Sequence, residues 1–573
     1  MSSNKTLMAN KFYSMLLGGT LTMMVVSVLL MSDSIIAGAV IGSNAVAGIT
    51  LVTPIYSLSA FVATVFSLGI PIIYSREMGE FNKKEADKAF GFGLVMCITG
   101  GMVLFLLVTF FGDIFLKSSN PTNAVLNEAK GYLSWMRFTI LLLPLQALIA
   151  EMVYNDGDET LSTVANLVQG LGNIAASVIL SKKMGISGIG LASFVFNVIA
   201  ILILSIHFLK KSNSLKLNIY FSGKLLLSVI RYSLIDSSTY LFLAILTSVL
   251  NIYVSKSFGA KYLILVSVVA LCREFQLVFD GIGEAITPII TVYLGEKCKK
   301  GIKTIYNLAQ KTAIVEGMVV TVIMIILAPF IPRVLDITDT KMIKEAVLGI
   351  RILALGSTFI SLLYLLTSYY LLIDKIKLGI FVCALRDVIA SIIFAIGLGS
   401  VFGKSGLFMG LAIAPVCALG VILLYIAKRY GIKNCPIFFL ELQGYEKMEI
   451  FNLRVEPKQI IDVQKKAEEF LKEEKVDRHS INRIKHLIEE VYMLILEKNE
   501  KTSPLSECSV FITDEGIRII IKDDGVLFDV SKEDTKATSI AAFTVSAYME
   551  KLDKNKRHLT TMSFNRSSFL IKY

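Results

Sequence analysis

Residues 79–84 read Gly-Glu-Phe-Asn-Lys-Lys, and residues 295–300, at an offset of 216, read Gly-Glu-Lys-Cys-Lys-Lys. A second stretch, Gly-Ile-Ser-Gly at 185–188, recurs as Gly-Lys-Ser-Gly at 403–406, at an offset of 218. Two matches in register indicate an internal duplication. Each copy holds six apolar segments, an even number, so both begin on the same side of a membrane, related by an axis along its normal. This organisation is typical of transporters, with a substrate cleft between two lobes.

The composition of the chain indicates a membrane protein. Of its 573 residues, 54% are hydrophobic, and the mean hydropathy of +0.67 exceeds what a soluble globular protein tolerates on its surface. The apolar stretches have the length of about 20 residues that crosses a bilayer core. We predict an all-α polytopic membrane bundle with about twelve spanning helices at 13–38, 45–75, 88–111, 132–154, 161–181, 187–209, 225–253, 261–293, 305–330, 346–371, 377–400 and 405–428.

The net charge of +11 belongs to the membrane part. Residues 1–440 carry 35 Lys and Arg against 22 Asp and Glu, whereas residues 441–573 carry 22 against 24. We therefore expect no nucleic-acid partner; membrane lipids are the expected surroundings. Lys and Arg concentrate in alternate loops, which the positive-inside rule makes cytoplasmic. The prediction is a multi-pass protein of the bacterial plasma (inner) membrane with both termini in the cytoplasm.

Cysteine and histidine are too sparse and scattered to suggest a metal or a disulfide. The seven cysteines form no C-x-x-C pair. One of the four histidines, His207, is at a helix end, and the others, His479, His486 and His558, are in the tail. We expect no cofactor and no metal. Any proton chemistry inside the membrane must use carboxylates.

Several motifs occur in an order and spacing that together are fairly specific. They are Asp33 and Gly38 within 32–38, Ser-Arg-Glu-Met-Gly at 75–79, Asn-Asp-Gly-Asp at 155–158, Asn173, and the glycine-rich run 185–192. Over residues 10–435 they resemble the multidrug and toxic compound extrusion (MATE) family. The resemblance implies a cation-coupled antiporter that expels amphiphilic organic compounds.

The resemblance also implies a cation site in the first lobe. In the family, the first-span aspartate is joined by an asparagine and, four residues later, an aspartate in the fifth span. Here Asp33 and Asn173 are present, but Ser177 replaces the second aspartate, so Asp33 is the carboxylate left in that cluster. We predict a cation-coupling site of Asp33, Asn173, Ser177 and Ser193. The alternative is that Asp33 makes only a helix-packing hydrogen bond to Asn173 or Ser193.

The eighth predicted span carries three charged residues, Arg273, Asp280 and Glu284. Separations of 7 and 11 residues place them on one face of a continuous helix. They are predicted to form either a cation or substrate site of the second lobe or an ion-pair ladder that positions the helix. Five arginines fall within or at the edges of spans: Arg137, Arg231, Arg273, Arg351 and Arg386. They favour the alternative of an anionic substrate.

The region 445–573 changes character. A charged helical stretch at about 456–500 is followed by alternating segments at 509–513 and 517–521, the pattern of strands. This predicts an α/β domain. Glu-Glu at 489–490 and Asp-Asp-Gly at 523–525 make it similar to the histidine-kinase-type ATPase fold, in its anti-sigma-factor-kinase branch.

The same resemblance implies a nucleotide site at Glu490, Asp523 and Gly525. Leu494, however, stands where the family has the asparagine that holds Mg²⁺, and the stretch 538–542 lacks the glycines of the phosphate-binding lid. The domain is therefore predicted to be an inactive ATPase relative that serves as a binding or regulatory module, with a cytosolic protein as a candidate partner.

The sequence thus predicts three units: an N-terminal six-helix lobe at 1–220, a C-terminal six-helix lobe at 221–440, and the cytosolic domain at 445–573. The leading hypothesis is a secondary active exporter of amphiphilic compounds rather than an enzyme. Two alternatives stay open. One is a flippase or exporter of anionic or lipid-linked substrates, and the other is a non-transporting membrane sensor that signals through the C-terminal domain.

Overall fold

The structure of the chain is a computed structural model. It describes residues 6–118, 123–259, 262, 264–334, 339–431, 447–500, 502–529 and 556–572. Within these ranges the chain forms a large helical bundle followed by a small domain with a β-sheet.

The first half of the bundle contains six long helices. They are α1 (Leu7–Val40), α2 (Ser43–Gly79), α3 (Lys83–Ser118), α4 (Asn123–Asn155), α5 (Glu159–Met184) and α6 (Ile186–Ser205). Thr6 caps α1 by accepting a hydrogen bond from the backbone N–H of Ala9. The helices turn back on each other through short loops, so consecutive helices are antiparallel.

The second half contains several interrupted helices. Its elements are α7 (Gly223–Phe258), α8 (Ile264–Phe275), α9 (Asp280–Gly295), α10 (Lys299–Leu327), the short α11 (Ile331–Val334), α12 (Thr340–Ala354), α13 (Ser357–Leu372), α14 (Ile376–Ala384) and α15 (Ala390–Tyr430). A 3₁₀ turn at Gln276–Phe279 joins α8 to α9, and a bend of 49° separates α12 from α13. Such breaks are tolerated inside a membrane bundle when neighbouring helices satisfy the freed backbone groups.

The helices confirm a multi-pass membrane protein. Among the described residues, nine helices are long and apolar enough to cross a membrane, or ten if the bent pair α12–α13 is one span. One of the nine, Ile376–Arg429, is 54 residues long and contains a non-helical residue at Gly403. The described residues of the twelve predicted spans lie mainly in helices, but the count of twelve crossings stays a prediction.

The internal duplication is visible in the backbone. Phe81 and Lys297, at equivalent places in the two Gly-Glu motifs, both have a φ of 59°. Gly185 and Gly403 open the second repeated motif with φ values of 61° and 63°. Positive φ is unusual for residues other than glycine, so its recurrence at Phe81 and Lys297 is informative. The two halves therefore use the same turns at the same places.

The two halves meet where α2 and α9 end. A Cβ added to Gly295 would lie 2.6 Å from the Cα of Gly79 and 2.6 Å from the carbonyl oxygen of Arg76. A Cβ added to Gly79 would lie 2.6 Å from the carbonyl oxygen of Val292. The repeated glycines thus bring one helix of each half into backbone contact. We call this end of the bundle, on which the C-terminal domain packs, its domain end.

In its described residues, 447–500, 502–529 and 556–572, the C-terminal domain has a five-stranded antiparallel sheet and two helices. Its elements are β1 (Met448–Arg454), α16 (Pro457–Glu473), α17 (Arg478–Lys498), β2 (Leu505–Thr513), β3 (Gly516–Asp523), β4 (Lys556–Thr561) and β5 (Phe564–Ile571). The strand order is β1-β2-β3-β5-β4. The sheet confirms the change of character predicted after residue 445, and the charged stretch 456–500 is two helices rather than one.

The two faces of the sheet have different partners. Successive residues of a strand point to opposite faces. Val510 and Ile519 belong to a core formed with α16 and α17. Their neighbours Phe511 and Ile520 belong to a core shared with the bundle, which includes Phe12 of α1. The sheet is therefore a layer between its own helices and the domain end of the bundle.

The crossing of α2 and α9 generates a prediction. Gly295→Ala should destabilise the protein because the added methyl group meets backbone atoms of α2. Gly420→Ala is the matched control, since a Cβ there meets nothing within 4 Å. Alanine in a helix is otherwise favoured over glycine by roughly 0.5–1 kcal/mol. Thermal unfolding should show a lower Tm for Gly295→Ala and an equal or higher one for Gly420→Ala; equal Tm values for the two variants contradict the close crossing.

Candidate functional site

The carboxylate of Asp33 lies on α1, seven residues before the helix ends at Val40. This places it near the end of the bundle opposite the domain end. The hydroxyl of Tyr132, on α4, donates a hydrogen bond to its Oδ2 at 2.8 Å. The other oxygen, Oδ1, is buried and has no hydrogen-bond partner among the described residues. A carboxylate oxygen in that state can accept a proton or contribute a ligand to a cation.

Asn173, Ser177 and Ser193 form a connected group between α5 and α6. The side-chain amide of Asn173 donates to the Ser193 hydroxyl at 3.1 Å, and the Ser177 hydroxyl donates to Asn173 Oδ1 at 2.9 Å. All three side chains are buried. The structure thus brings together three of the four predicted residues, while the hydrogen bond that Asp33 receives comes from Tyr132. The alternative considered above was a hydrogen bond between Asp33 and Asn173 or Ser193. Among the described residues, Asn173 is hydrogen-bonded to Ser193 and Ser177 instead.

Acidic side chains gather between the two halves. Glu284 Oε2 would lie 2.8 Å from a Cβ added to Gly19 of α1, so this second-half carboxylate contacts the first half. Electrostatic interactions connect it to Asp280 on the same helix and to Glu151 on α4. Glu151, an acid of the first half that the sequence did not single out, therefore lies near Asp280 and Glu284.

Arg273 does not join that group. Its Nη2 donates to the Ser391 hydroxyl at 3.1 Å, and its charged neighbours are Arg386 and Asp387. The ladder predicted for Arg273, Asp280 and Glu284 assumed one continuous helix. The 3₁₀ turn at Gln276–Phe279 interrupts that helix between the arginine and the two acids, which changes the angle between their side chains. Arg386 and Asp387 form a local ion pair at 2.7 Å.

The described residues contain no group of three or more His, Cys, Asp or Glu side chains that could hold a metal ion. Neighbouring carboxylates such as Glu151, Asp280 and Glu284 can bind protons, monovalent cations or positively charged groups.

In the C-terminal domain, the carboxylate of Asp523 is hydrogen-bonded to neighbouring residues. It is buried, and its Oδ1 accepts hydrogen bonds from Asn565 Nδ2 at 2.9 Å and from the Gly525 N–H at 3.0 Å. A Cβ added to Gly525 would lie 2.6 Å from the side chain of Asn499, so little free space adjoins it. The predicted nucleotide-contacting residues Asp523 and Gly525 are therefore part of an internal hydrogen-bond network.

The other predicted nucleotide elements give no further binding geometry. Leu494 is buried in the domain core, where an apolar side chain packs well and cannot coordinate Mg²⁺. Glu490 is partly exposed, and burial raises the pKa of its carboxyl above the usual value, as does the neighbouring Glu489. The segment 538–542, predicted to replace the phosphate lid, lies outside the described residues.

Four buried charges lie between the sheet and the bundle, and we call them the interface ion cluster: Glu296, Glu507, Lys522 and Arg566. Lys522 Nζ is 2.8 Å from Glu296 Oε2 and 3.0 Å from Glu507 Oε1, and Arg566 Nε donates to Glu296 Oε1 at 2.7 Å. Each residue is at most 3% exposed. Two acids balance two bases, so the cluster is neutral as a whole.

The sheet register builds this cluster. Glu507 on β2 is paired with Lys522 on β3, and Lys522 with Arg566 on β5, so the three form a row across the sheet. Glu296 follows directly after α9 and contacts the middle and end of this row. The hydroxyl of Tyr293, also on α9, donates to Glu507 at 2.6 Å. One acid of the repeated Gly-Glu motif is thus the acceptor for two cations of the C-terminal domain.

Arg566 also reaches the first half of the bundle. Its guanidinium nitrogens donate to the carbonyl oxygens of Met78 and Gly79, and its plane lies 3.8 Å from the ring centroid of Phe81. These carbonyls are at the end of α2, where helical carbonyls lack intrahelical partners and arginine is favoured. A single side chain therefore contacts α2 of the first half and Glu296 of the second.

A second contact joins the domain to the first half. The turn between β4 and β5 packs on the α4–α5 loop, where the Ser563 hydroxyl donates to the Gly157 carbonyl oxygen at 3.1 Å. Lys11 donates to the same carbonyl at 2.9 Å and lies 5.7 Å from the ring centroid of Phe564. On the other half, Lys300 of α10 forms an ion pair with Glu449 of β1. The domain thus contacts both halves at several points.

Comparison with known proteins establishes the fold of the bundle. Residues 20–179 match the family model MatE. A MOP superfamily transporter from Pyrococcus furiosus, described as having a binding pocket of reverse polarity, is 16% identical, with a TM-score of 0.66 over 73% of this chain and 95% of that one. A multidrug resistance MATE family transporter in an outward-facing conformation is 17% identical, with the same TM-score and coverage. The chain matches no curated protein sequence.

These likenesses define the class of the molecule: a multi-pass membrane protein with the fold of MATE transporters. The predicted ATPase relationship of the C-terminal domain is not among these likenesses, and it stays a prediction.

The environment of Asp523 generates a pH prediction. Burial raises the pKa of its carboxyl from 3.8 to about 7. Between these values the folded state retains a proton that the unfolded state has released, so this group's contribution to the stability of the domain decreases as pH rises from 4 to 7. Asp523→Asn, which can still accept both hydrogen bonds, should flatten that part of the Tm–pH curve. An unchanged slope in the variant contradicts the shift.

Proposed function

We propose that this protein is a secondary active exporter that uses an H⁺ or Na⁺ gradient to expel amphiphilic organic compounds across the bacterial plasma membrane. Both termini and the C-terminal domain lie in the cytoplasm, as the distribution of basic loops favours. The proposal includes membership of the MATE family, supported by the MatE match over residues 20–179 and by the shared fold.

The observation that carries the proposal is the carboxylate of Asp33, whose Oδ1 is buried without a hydrogen-bond partner among the described residues. Tyr132 orients one oxygen, and the second is left to take a proton or a cation. Because desolvation disfavours the charged carboxylate, cation binding stabilises the buried state, and rehydration favours release. One charge crossing a potential of 100 mV supplies about 2.3 kcal/mol, roughly a fortyfold concentration ratio.

The acids between the halves bear on the substrate. Glu151, Asp280 and Glu284 place acidic side chains between the halves, which favours cationic over anionic amphiphiles as substrates. The alternative of an anionic or lipid-linked substrate depended on arginines within spans. Arg386 is paired with Asp387, so its charge already has a partner, and Arg273 donates a hydrogen bond to Ser391.

The C-terminal domain is proposed to be a regulatory or binding module. Engagement of Asp523 by Asn565 and Gly525 favours this role over nucleotide hydrolysis. The sensor alternative assigns the output to the same domain but no flux to the bundle. Transport by the purified protein separates these two functions.

The test is substrate efflux in proteoliposomes under an imposed H⁺ or Na⁺ gradient. Wild type should accumulate or expel a cationic amphiphile in proportion to one of the gradients, and Asp33→Asn should abolish this dependence because the variant side chain cannot bind and release a cation. The control is Asp113→Asn, which neutralises an exposed carboxylate paired with Lys130 on the surface.

Three outcomes distinguish the functions. Gradient-dependent efflux that survives in Asp33→Asn at the wild-type rate rejects the coupling role of Asp33. Flux of anionic amphiphiles but not cationic ones supports the flippase alternative. Absence of flux with either class, in protein that is folded and correctly inserted, supports the sensor.

A further inference from the structure

The C-terminal domain contacts both halves of the bundle at the same end. Arg566 and Ser563 contact the first half through the end of α2 and the α4–α5 loop. Lys522 and Arg566 contact the second half through Glu296. The domain therefore spans the seam between the halves.

An exporter with this fold opens to one side by moving its halves apart at that side. At the domain end, opening requires the contact between Gly79 and Gly295 to separate. Arg566 cannot then keep both its hydrogen bonds to the end of α2 and its hydrogen bond to Glu296. Opening at this end therefore breaks the interface ion cluster or withdraws the domain from one half.

Breaking this cluster is unfavourable because of its burial. Removal of one partner of a buried charge pair leaves the other charge uncompensated in a medium of low polarity. The apolar side chains around it, including Phe511, Ile520 and Phe564, also pack against the bundle and would be exposed. Docking of the domain thus favours the arrangement in which the halves are closed at the domain end.

We propose that the C-terminal domain is an autoinhibitory element whose docked sheet, through Arg566, Lys522 and Glu296, holds the bundle closed to the cytoplasm. Loading of substrate from the cytoplasm requires the domain to leave at least one half. This inference rests on the proposed function for its physiological meaning, but the contact itself is measurable without transport.

The test measures the distance between the two halves in the full-length protein in lipid nanodiscs. Spin labels are placed at Lys84→Cys on α3 and Lys303→Cys on α10, both exposed at the domain end. Cys417 and Cys435 are replaced by serine to prevent unwanted labelling. Pulsed electron–electron double resonance then gives the distribution of distances between the two spin labels across the seam. Wild type should show mainly one short distance.

Two substitutions should open the seam. Glu296→Gln removes the shared acceptor of Lys522 and Arg566, and we expect the ratio of long to short distances to rise by at least about tenfold. The matched control is Glu468→Gln, which neutralises a carboxylate paired with Lys472 and Lys485 inside the domain and away from the bundle. It should leave the distribution unchanged.

The second substitution leaves the ion cluster intact. A Cβ at Gly157 would lie 2.2 Å from the backbone of Met562, so Gly157→Ala obstructs docking of the β4–β5 turn. Its control is Gly185→Ala, which also places alanine at a positive φ but meets nothing within 4 Å. Gly157→Ala should open the seam and Gly185→Ala should not. This pair decides the matter if Glu296→Gln fails to fold.

The proposal is overturned if folded Glu296→Gln and Gly157→Ala give the same distances as their controls, since the halves would then stay closed without the docked domain. Failure of the proposed function is a different result. A protein in which Asp33→Asn changes no flux could still show seam opening in Glu296→Gln, and a coupled exporter could show none.

Discussion

The arrangement of the molecule depends on one buried carboxylate, that of Glu296. It follows directly after α9 of the second half and forms ion pairs with Lys522 and Arg566 of the sheet. Arg566 in turn donates hydrogen bonds to the carbonyl oxygens at the end of α2 in the first half. Without Glu296, Arg566 would lose its ion-pair partner and Lys522 would keep only Glu507, and an uncompensated buried charge costs several kcal/mol. The contact therefore fixes the sheet on the bundle and the halves on each other.

The candidate coupling site lies at the other end of the same helices. Lys11 and Asp33 are both on α1, 22 residues or about 33 Å apart along its axis. Lys11 is near the docked β4–β5 turn, and Asp33 is paired with Tyr132. Glu284 lies between the halves, so the proposed ion site, the acids between the halves and the domain contact follow one another along the bundle. A rigid helix contacting all three regions is a physical route by which they can be coupled.

The sequence predicted much of this and missed its central part. Hydropathy located the helices because each span must be apolar, and the repeated Gly-Glu motifs indicated the duplication that the turns at Phe81 and Lys297 display. Tyr132 and Glu151 were missed because a single tyrosine or acid carries no periodic signal. Arg566 was missed because its partners are hundreds of residues away. The 3₁₀ turn at 276–279 within the eighth span was missed, since nothing in the sequence pattern marks it.

The most direct test of the account is the rate of cation-coupled efflux by Arg566→Gln in proteoliposomes. If the docked domain holds the bundle closed, the variant should transport faster than wild type by several-fold, with the same ion dependence, while Glu468→Gln matches wild type. A folded Arg566→Gln protein that transports at the wild-type rate or more slowly would show that the ion cluster around Glu296 does not restrain the bundle.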